Sequence, residues 1–390
     1  MNAATLEPIS CGISRASALR LIAATGPDLQ DLLQAAAELR ERRTAAIVTY
    51  SRKVFIPLTN LCRDRCGYCT FAREAADPCA HTMTPEEVLA VAEAGRRAGC
   101  KEALFSLGER PEIRYPAYRR MLNGRGYAST IDYLAAMCRL VFEQTGLLPH
   151  ANPGSMTRDE MEKLLPFNAS MGMMLESVSE RLLRAGEAHH ACPDKAPSTR
   201  LATLKAAGEL GIPFTTGILI GIGETAEERV DSLLAIREIH ERYGNIQEVI
   251  IQNFRAKPDT RFAQWPEPGA LDLVRTAAVA RLIFSGYGRG SEVNLQIPPN
   301  LTDDDFGFLL QSGINDWGGI SPVTLDFINP ERAWPAVPKL REVTARAGFE
   351  LRERLAVYPE FAHRAPEAVR ARVLELADDA GLVRAEEQRW

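Results

Sequence analysis

Cys62, Cys66 and Cys69 stand at C-x3-C-x2-C spacing in the run from Asn60 to Phe71. That spacing lets one loop wrap three corners of a 4Fe–4S cube, which takes four thiolates where it only stores electrons. Three protein ligands leave one iron open to a substrate or cofactor, and an open iron points to catalysis. The alternative is a structural zinc knot. Such sites close with four ligands, and the nearest further candidates, Cys79 and His81, are not at zinc-finger spacing. The other cysteines, Cys11, Cys79, Cys100, Cys138 and Cys192, share no cluster spacing and are expected as small buried hydrophobes.

Composition narrows the classes. The chain has 390 residues, 46% hydrophobic and 25% charged, enough for one large core with additions. A net charge of -5 leaves no footprint for DNA or RNA, so nucleic acid is not an expected partner. No apolar run reaches bilayer-spanning length, so no membrane segment is expected. Eight cysteines without a cationic-then-apolar leader imply a reducing compartment, the cytoplasm.

The elements that must position the cysteines are strands alternating with helices. A helical N-terminal extension, about 16 to 47, precedes a strand from Val54 to Leu58, and the cysteine loop begins where that strand ends. Further strands are expected at 103–107, 147–152, 169–175, 214–220, 247–254 and 293–297, with a glycine-rich eighth near 313–320. Thr84/Glu87, Thr157/Glu160 and Thr225/Glu228 have the capping-box pattern that opens a helix. Strands linked by helices in this way predict an α/β fold, a TIM-type (β/α) barrel with C-terminal helices. The expected division is 1–47 helical extension, 48–290 core barrel, and 291–390 a segment completing and bracing it. Barrel sites form at the C-terminal strand ends. The cysteines, Gly108 and Glu109, His150 and Asn152, Glu176, and Gly221 with Glu224 all fall there and should face one mouth.

The cysteine spacing, with Tyr68 before the last thiol, resembles the motif of the radical S-adenosylmethionine (radical SAM) enzymes. The resemblance implies a 4Fe–4S cluster whose open iron is chelated by the methionyl amine and carboxylate of S-adenosyl-L-methionine. It also implies that Gly108 and Glu109 receive the amine, although Leu107 replaces the first glycine of the commoner Gly-Gly-Glu. Gly217 to Glu224 is similar to the G-x-I-x-G-x-x-E segment lying along the adenine, which brings in Gly221 and Glu224. Glu176 and Arg200 match the Glu and Arg that contact ribose and carboxylate in the biotin-synthase-like and hydrogenase-maturation branches, where a guanidinium fork suits a carboxylate.

A closer resemblance spans about 48 to 335. Asn60 to Phe71, Leu148 to Gly154, Ser170 to Glu176, Lys195 to Pro197, Ile212 to Glu224, Ile251 to Phe254 and Asn315 to Thr324 together resemble the 7,8-didemethyl-8-hydroxy-5-deazariboflavin synthase (CofG) family. That family implies a radical SAM carbon–nitrogen lyase of coenzyme F420 biosynthesis. SAM is cleaved to methionine and a 5′-deoxyadenosyl radical, which abstracts hydrogen from the adduct of tyrosine with 5-amino-6-(D-ribitylamino)uracil made by the partner enzyme CofH. The ring then closes with loss of ammonia to give the deazaflavin FO. An external one-electron reductant of flavodoxin or ferredoxin type is implied as well. A CofH-like or other biotin-synthase-like enzyme, or a non-enzymatic iron–sulfur or zinc protein, stays open as an alternative. Candidate catalytic residues are Asp316 and His150. Asn152, Gln252, Asn253, Asn315 and Trp317 are candidate contacts for a substrate with a dione, a ribityl chain and a phenol.

Overall fold

The structure, a computed structural model, describes residues 12–44, 46–286, 293–302 and 306–388. Cys11 lies outside them. Eight parallel strands close into a barrel: β1 (Ile47–Pro57), β2 (Glu102–Ser106), β3 (Leu148–Asn152), β4 (Ser170–Gly172), β5 (Phe214–Ile220), β6 (Ile246–Asn253), β7 (Asn294–Gln296) and β8 (Asp316–Ile320), which returns to β1. All eight expected strands form, with β1 reaching seven residues further back than its apolar run suggested. The early part, Ile47 to Ser51, is paired by a ninth strand, β9 (Glu350–Arg354), which shares one edge of β1 with β2. The expected C-terminal helices form, Val337–Arg346 and Glu367–Leu376, and β9 lies between them. Glu350 to Arg354 is so charged that only its pairing with β1 makes it a strand.

The three capping boxes are present and start helices Pro85–Arg97, Arg158–Leu164 and Ala226–Tyr243. In each, the threonine hydroxyl accepts the N–H three residues on, and the glutamate accepts the threonine N–H. The N-terminal extension is two helices, Arg15–Leu21 and Gly26–Thr44, the second packed on helix Ala270–Ile283. The chain turns between them, and Gly26 takes φ 54°, a left-handed value that glycine adopts without strain. Among the described residues, no helix is long and apolar enough to cross a membrane.

After β9 the chain crosses beneath the barrel and plugs it. Leu355, Ala356, Val357, Tyr358 and Phe361 pack with Leu148 and Ala169 at the starts of β3 and β4. The Ala356 carbonyl accepts from Ser170 Oγ at 2.5 Å and Gln247 Nε2 at 3.4 Å, and Tyr358 N–H donates to Gln247 Oε1 at 3.2 Å. Arg354 enters from below, donating to Asp316 and to Glu248 at 3.0 Å. The result is a cup, open at the C-terminal strand ends and floored by the C-terminal segment.

Candidate active site

The cysteine loop is stitched to the loop after β2. Gly108 N–H donates to Thr59 O at 2.8 Å, Arg63 N–H to Glu109 O at 2.8 Å, and Glu109 N–H to Cys62 Sγ at 3.2 Å. Gly108 has no room for a side chain, since a Cβ would stand 1.9 Å from Leu61 O. All three thiols are part-exposed and line the cavity with Tyr68. Burial and crowding among thiols and carboxylates push Cys62 up from its ordinary range. A metal reverses such a shift by coordinating the thiolate. Three thiols on one cavity wall, one of them accepting a backbone N–H, fit a cluster held at three corners.

Two neighbours were not anticipated. Cys192 is buried as expected, but its Sγ lies 3.7 Å from Cys66 Sγ. Asp64 is also buried; its Oδ2 has no hydrogen-bond partner among the described residues, and burial with Glu109 and Asp194 nearby pushes its carboxyl up to about 7. Cys100 and Cys138 are buried, whereas Cys79 is exposed, a correction: it sits in a surface loop with its carbonyl bonded by Asn60. His81 bonds Glu87 at 3.1 Å.

Beside the thiols, four charged side chains form two ion pairs, with Glu109, Arg200 and Glu176 buried and Lys195 half-buried. Glu109 accepts from Arg200 Nη2 at 3.0 Å and from Ser155 N–H at 2.6 Å, and Arg200 also donates to Met174 O at 2.6 Å and Asp194 O at 3.1 Å. Gly154 lies against this carboxylate, where a Cβ would come within 2.4 Å of it. Glu176 accepts from Lys195 Nζ at 2.7 Å. Its backbone is left-handed at φ 65°, a conformation rare for a side-chain-bearing residue and common at functional sites. Burial and Arg200 oppose the Lys195 charge, but Glu176 and neighbouring acids outweigh them and raise its pKa. Paired acids and cations on one wall suit the amine and carboxylate of an amino-acid terminus. Tyr68 meets His189 Nε2 at 3.0 Å, and burial followed by Lys195 and Arg200 keeps that imidazole neutral.

His150, Asn152, Gln252 and Asn253 also line the cavity, Asn152 and Asn253 as the last residues of β3 and β6 and His150 two residues further in. Five expected contacts are not in its wall. Glu224 turns into its own loop, accepting Gly221 N–H at 2.8 Å, Ile222 N–H at 2.9 Å and Arg229 at 2.7 Å, because successive free amides in the turn after β5 and a guanidinium attract a carboxylate. Gly221 packs on Pro268. Asn315 bridges Arg281, Leu295 N–H and Asn294. Trp317 is fully buried on the helix side of β8, its Nε1 donating to Thr344 at 2.9 Å. Asp316, also fully buried, is taken up by Arg354, Thr49 and Gly318 N–H behind the cavity floor. The Asn315-to-Trp317 run begins β8, and the mouth is at the strand's other end.

Residues missed in sequence are Lys53, Glu102, Glu248 and Arg354, charged side chains lining the cavity from within strands. An inward charge interrupting an apolar strand is the signal that could have found Lys53.

A Radical SAM superfamily profile matches residues 56–236. The 7,8-didemethyl-8-hydroxy-5-deazariboflavin synthase of Methanopyrus kandleri is 51% identical over 340 residues, 87% of this chain and 100% of that one. The FO synthase of Streptomyces avermitilis is 49% identical over 383 residues, 94% of this chain but 44% of that protein. The chain thus spans less than half the length of that FO synthase. Among solved structures, the FeFe-hydrogenase maturase HydG from Carboxydothermus hydrogenoformans aligns with TM-score 0.69 at 18% identity, covering 94% of this chain and 87% of its own. Methylornithine synthase (PylB) aligns with TM-score 0.68 at 18% identity, covering 87% and 94%. At that identity these two speak for the barrel fold. The cysteine loop, the paired charges beside it and the full-length similarity agree: the chain belongs to the 7,8-didemethyl-8-hydroxy-5-deazariboflavin synthase family of the radical SAM superfamily.

Proposed function

We propose that this chain forms the deazaflavin FO, closing the ring of 5-amino-5-(4-hydroxybenzyl)-6-(D-ribitylimino)-5,6-dihydrouracil with loss of ammonia, a carbon–nitrogen lyase reaction. Its carrying observation is a cup with three thiols and two ion pairs at the rim and a closed polar floor, in a chain half identical to a whole relative of that name. Cys62, Cys66 and Cys69 would hold a 4Fe–4S cluster, which with SAM bound would supply one-electron reductive chemistry at the open iron.

The protein's own part is position and exclusion of water. Glu109 and Arg200 hold one end of the SAM site, with Glu176 and Lys195 beside them. Gly221 and Glu224 act indirectly, shaping the loop after β5. The plug from Leu355 to Tyr358 fills the far end, so the substrate enters and leaves by the mouth. Its supplier is an enzyme of the CofH type, and its electron donor a flavodoxin or ferredoxin in the cytoplasm.

The test is anaerobic reconstitution with reductant, SAM and the adduct. Reductant-dependent 5′-deoxyadenosine together with FO fluorescence is expected. 5′-Deoxyadenosine without FO, or turnover of tyrosine with 5-amino-6-(D-ribitylamino)uracil in place of the adduct, would overturn the reading.

A further inference from the structure

Deep in the cavity, two side chains have hydrogen-bonding capacity that the fold does not use. Lys53, on β1, is 9% exposed and lines the cavity. Its Nζ has no hydrogen-bond or ion-pair partner among the described residues and lies 4.8 Å from the Trp334 ring and 5.9 Å from that of Phe55. Burial lowers its pKa; Glu102, Asp326 and Glu248 oppose this from beyond ion-pair range, and Arg354 adds to it. A buried ammonium without acceptors is costly, and it has three N–H groups to donate.

His150 is the complement. Its Nδ1 is 2.7 Å from Ser170 Oγ, and that hydroxyl is 2.5 Å from the Ala356 carbonyl. A carbonyl only accepts, so the single serine proton goes to Ala356 and the serine oxygen accepts from His150 Nδ1–H. The imidazole is neutral, burial lowering its pKa to about 4. Its Nε2 is then a bare acceptor without a partner among the described residues. Gly172 preserves the space beside it, where a Cβ would come 2.8 Å from Nε2.

An open donor and an open acceptor, with the flat faces of Phe55 and Trp334 nearby, match a planar ring edge that alternates carbonyl and N–H. We propose that the cavity floor recognises the imide edge of a pyrimidinedione, Lys53 Nζ donating to a ring carbonyl oxygen and His150 Nε2 accepting the N3–H. This rests on the FO reading and adds to it the part of the substrate that is anchored, and where.

The test is anaerobic equilibrium dialysis of the cluster-loaded, unreduced protein against the adduct and its N3-methyl counterpart. The wild type should bind the methylated ligand at least tenfold more weakly, and His150→Phe should lose that discrimination. Lys53→Met should bind both ligands at least tenfold more weakly with no fall in Tm, because the ammonium it removes serves the ligand and not the fold. Equal binding of the two ligands by the wild type, discrimination retained in His150→Phe, or unchanged affinity in Lys53→Met overturns the proposal. So does a Lys53→Met chain that melts lower or does not fold, since its lysine is then structural. If the wild type makes FO while any of these holds, only the edge assignment falls. If it neither binds the adduct nor makes FO, the functional reading falls.

Discussion

His150 couples the cavity to acid stability. Its pKa in the folded chain is about 4, against about 6.5 for an ordinary histidine, because burial disfavours the imidazolium. Above about pH 6.5 both folded and unfolded chains keep it neutral, and it contributes no pH dependence. As pH falls from there to about 4 the unfolded chain takes up a proton that the native state refuses, so stability falls. The difference corresponds to about 3 kcal/mol. Urea denaturation of the metal-free protein between pH 7 and 4 should therefore show the wild type losing about 3 kcal/mol more than His150→Gln; parallel losses would contradict it. The histidine's place on the third strand was legible in the sequence, though it sits in the middle of β3 and not at its end. Its tautomer was not, because the group that sets it, the Ala356 carbonyl, lies far along the chain.

The cluster loop works as an element only because the loops after β1 and β2 interlock. Gly108 is the contact point, with Leu61 O and the Cys62 side chain where its Cβ would be. Gly108→Ala must push these loops apart, an overpacking that costs typically 1–3 kcal/mol. The barrel should survive with its far-ultraviolet circular dichroism intact, while iron per chain after reconstitution drops severalfold. Gly124→Ala, where a Cβ meets nothing within 4 Å, is the control and should load iron normally. The thiol spacing and the capping boxes were readable because both are local. Glu224 was readable as part of a motif but not by its direction. Turning toward the cavity or into its own loop is decided by the amides of Gly221 and Ile222 and by Arg229.

The whole molecule depends on its last quarter to close the barrel. Arg354 neutralises Asp316 and Glu248 together, all three buried. Arg354→Met leaves two buried carboxylates without their cation, and breaking such a pair costs about 3–5 kcal/mol. Urea denaturation should show that loss, and the double variant Arg354→Met/Asp316→Asn should recover part of it. Two losses that simply add would mean the groups are independent. This network also explains Asp316, which reads in sequence as an acid for the substrate and is in the fold a partner of the floor.

By itself the sequence determined the chemistry at the rim and the order of the barrel. Thiol spacing, apolar strand runs and helix caps act over a few residues, and their physics is complete within a short window. Only the tertiary structure decided which polar groups meet. Strand alternation and depth sent Trp317 to the helices and Asp316 behind the floor, and β9 exists because β1 had an open edge. Arg200 with Glu109, Lys195 with Glu176, and Lys53 left without a hydrogen-bond or ion-pair partner among the described residues are outcomes of desolvation and distance between segments remote in the chain, and no local pattern encodes them.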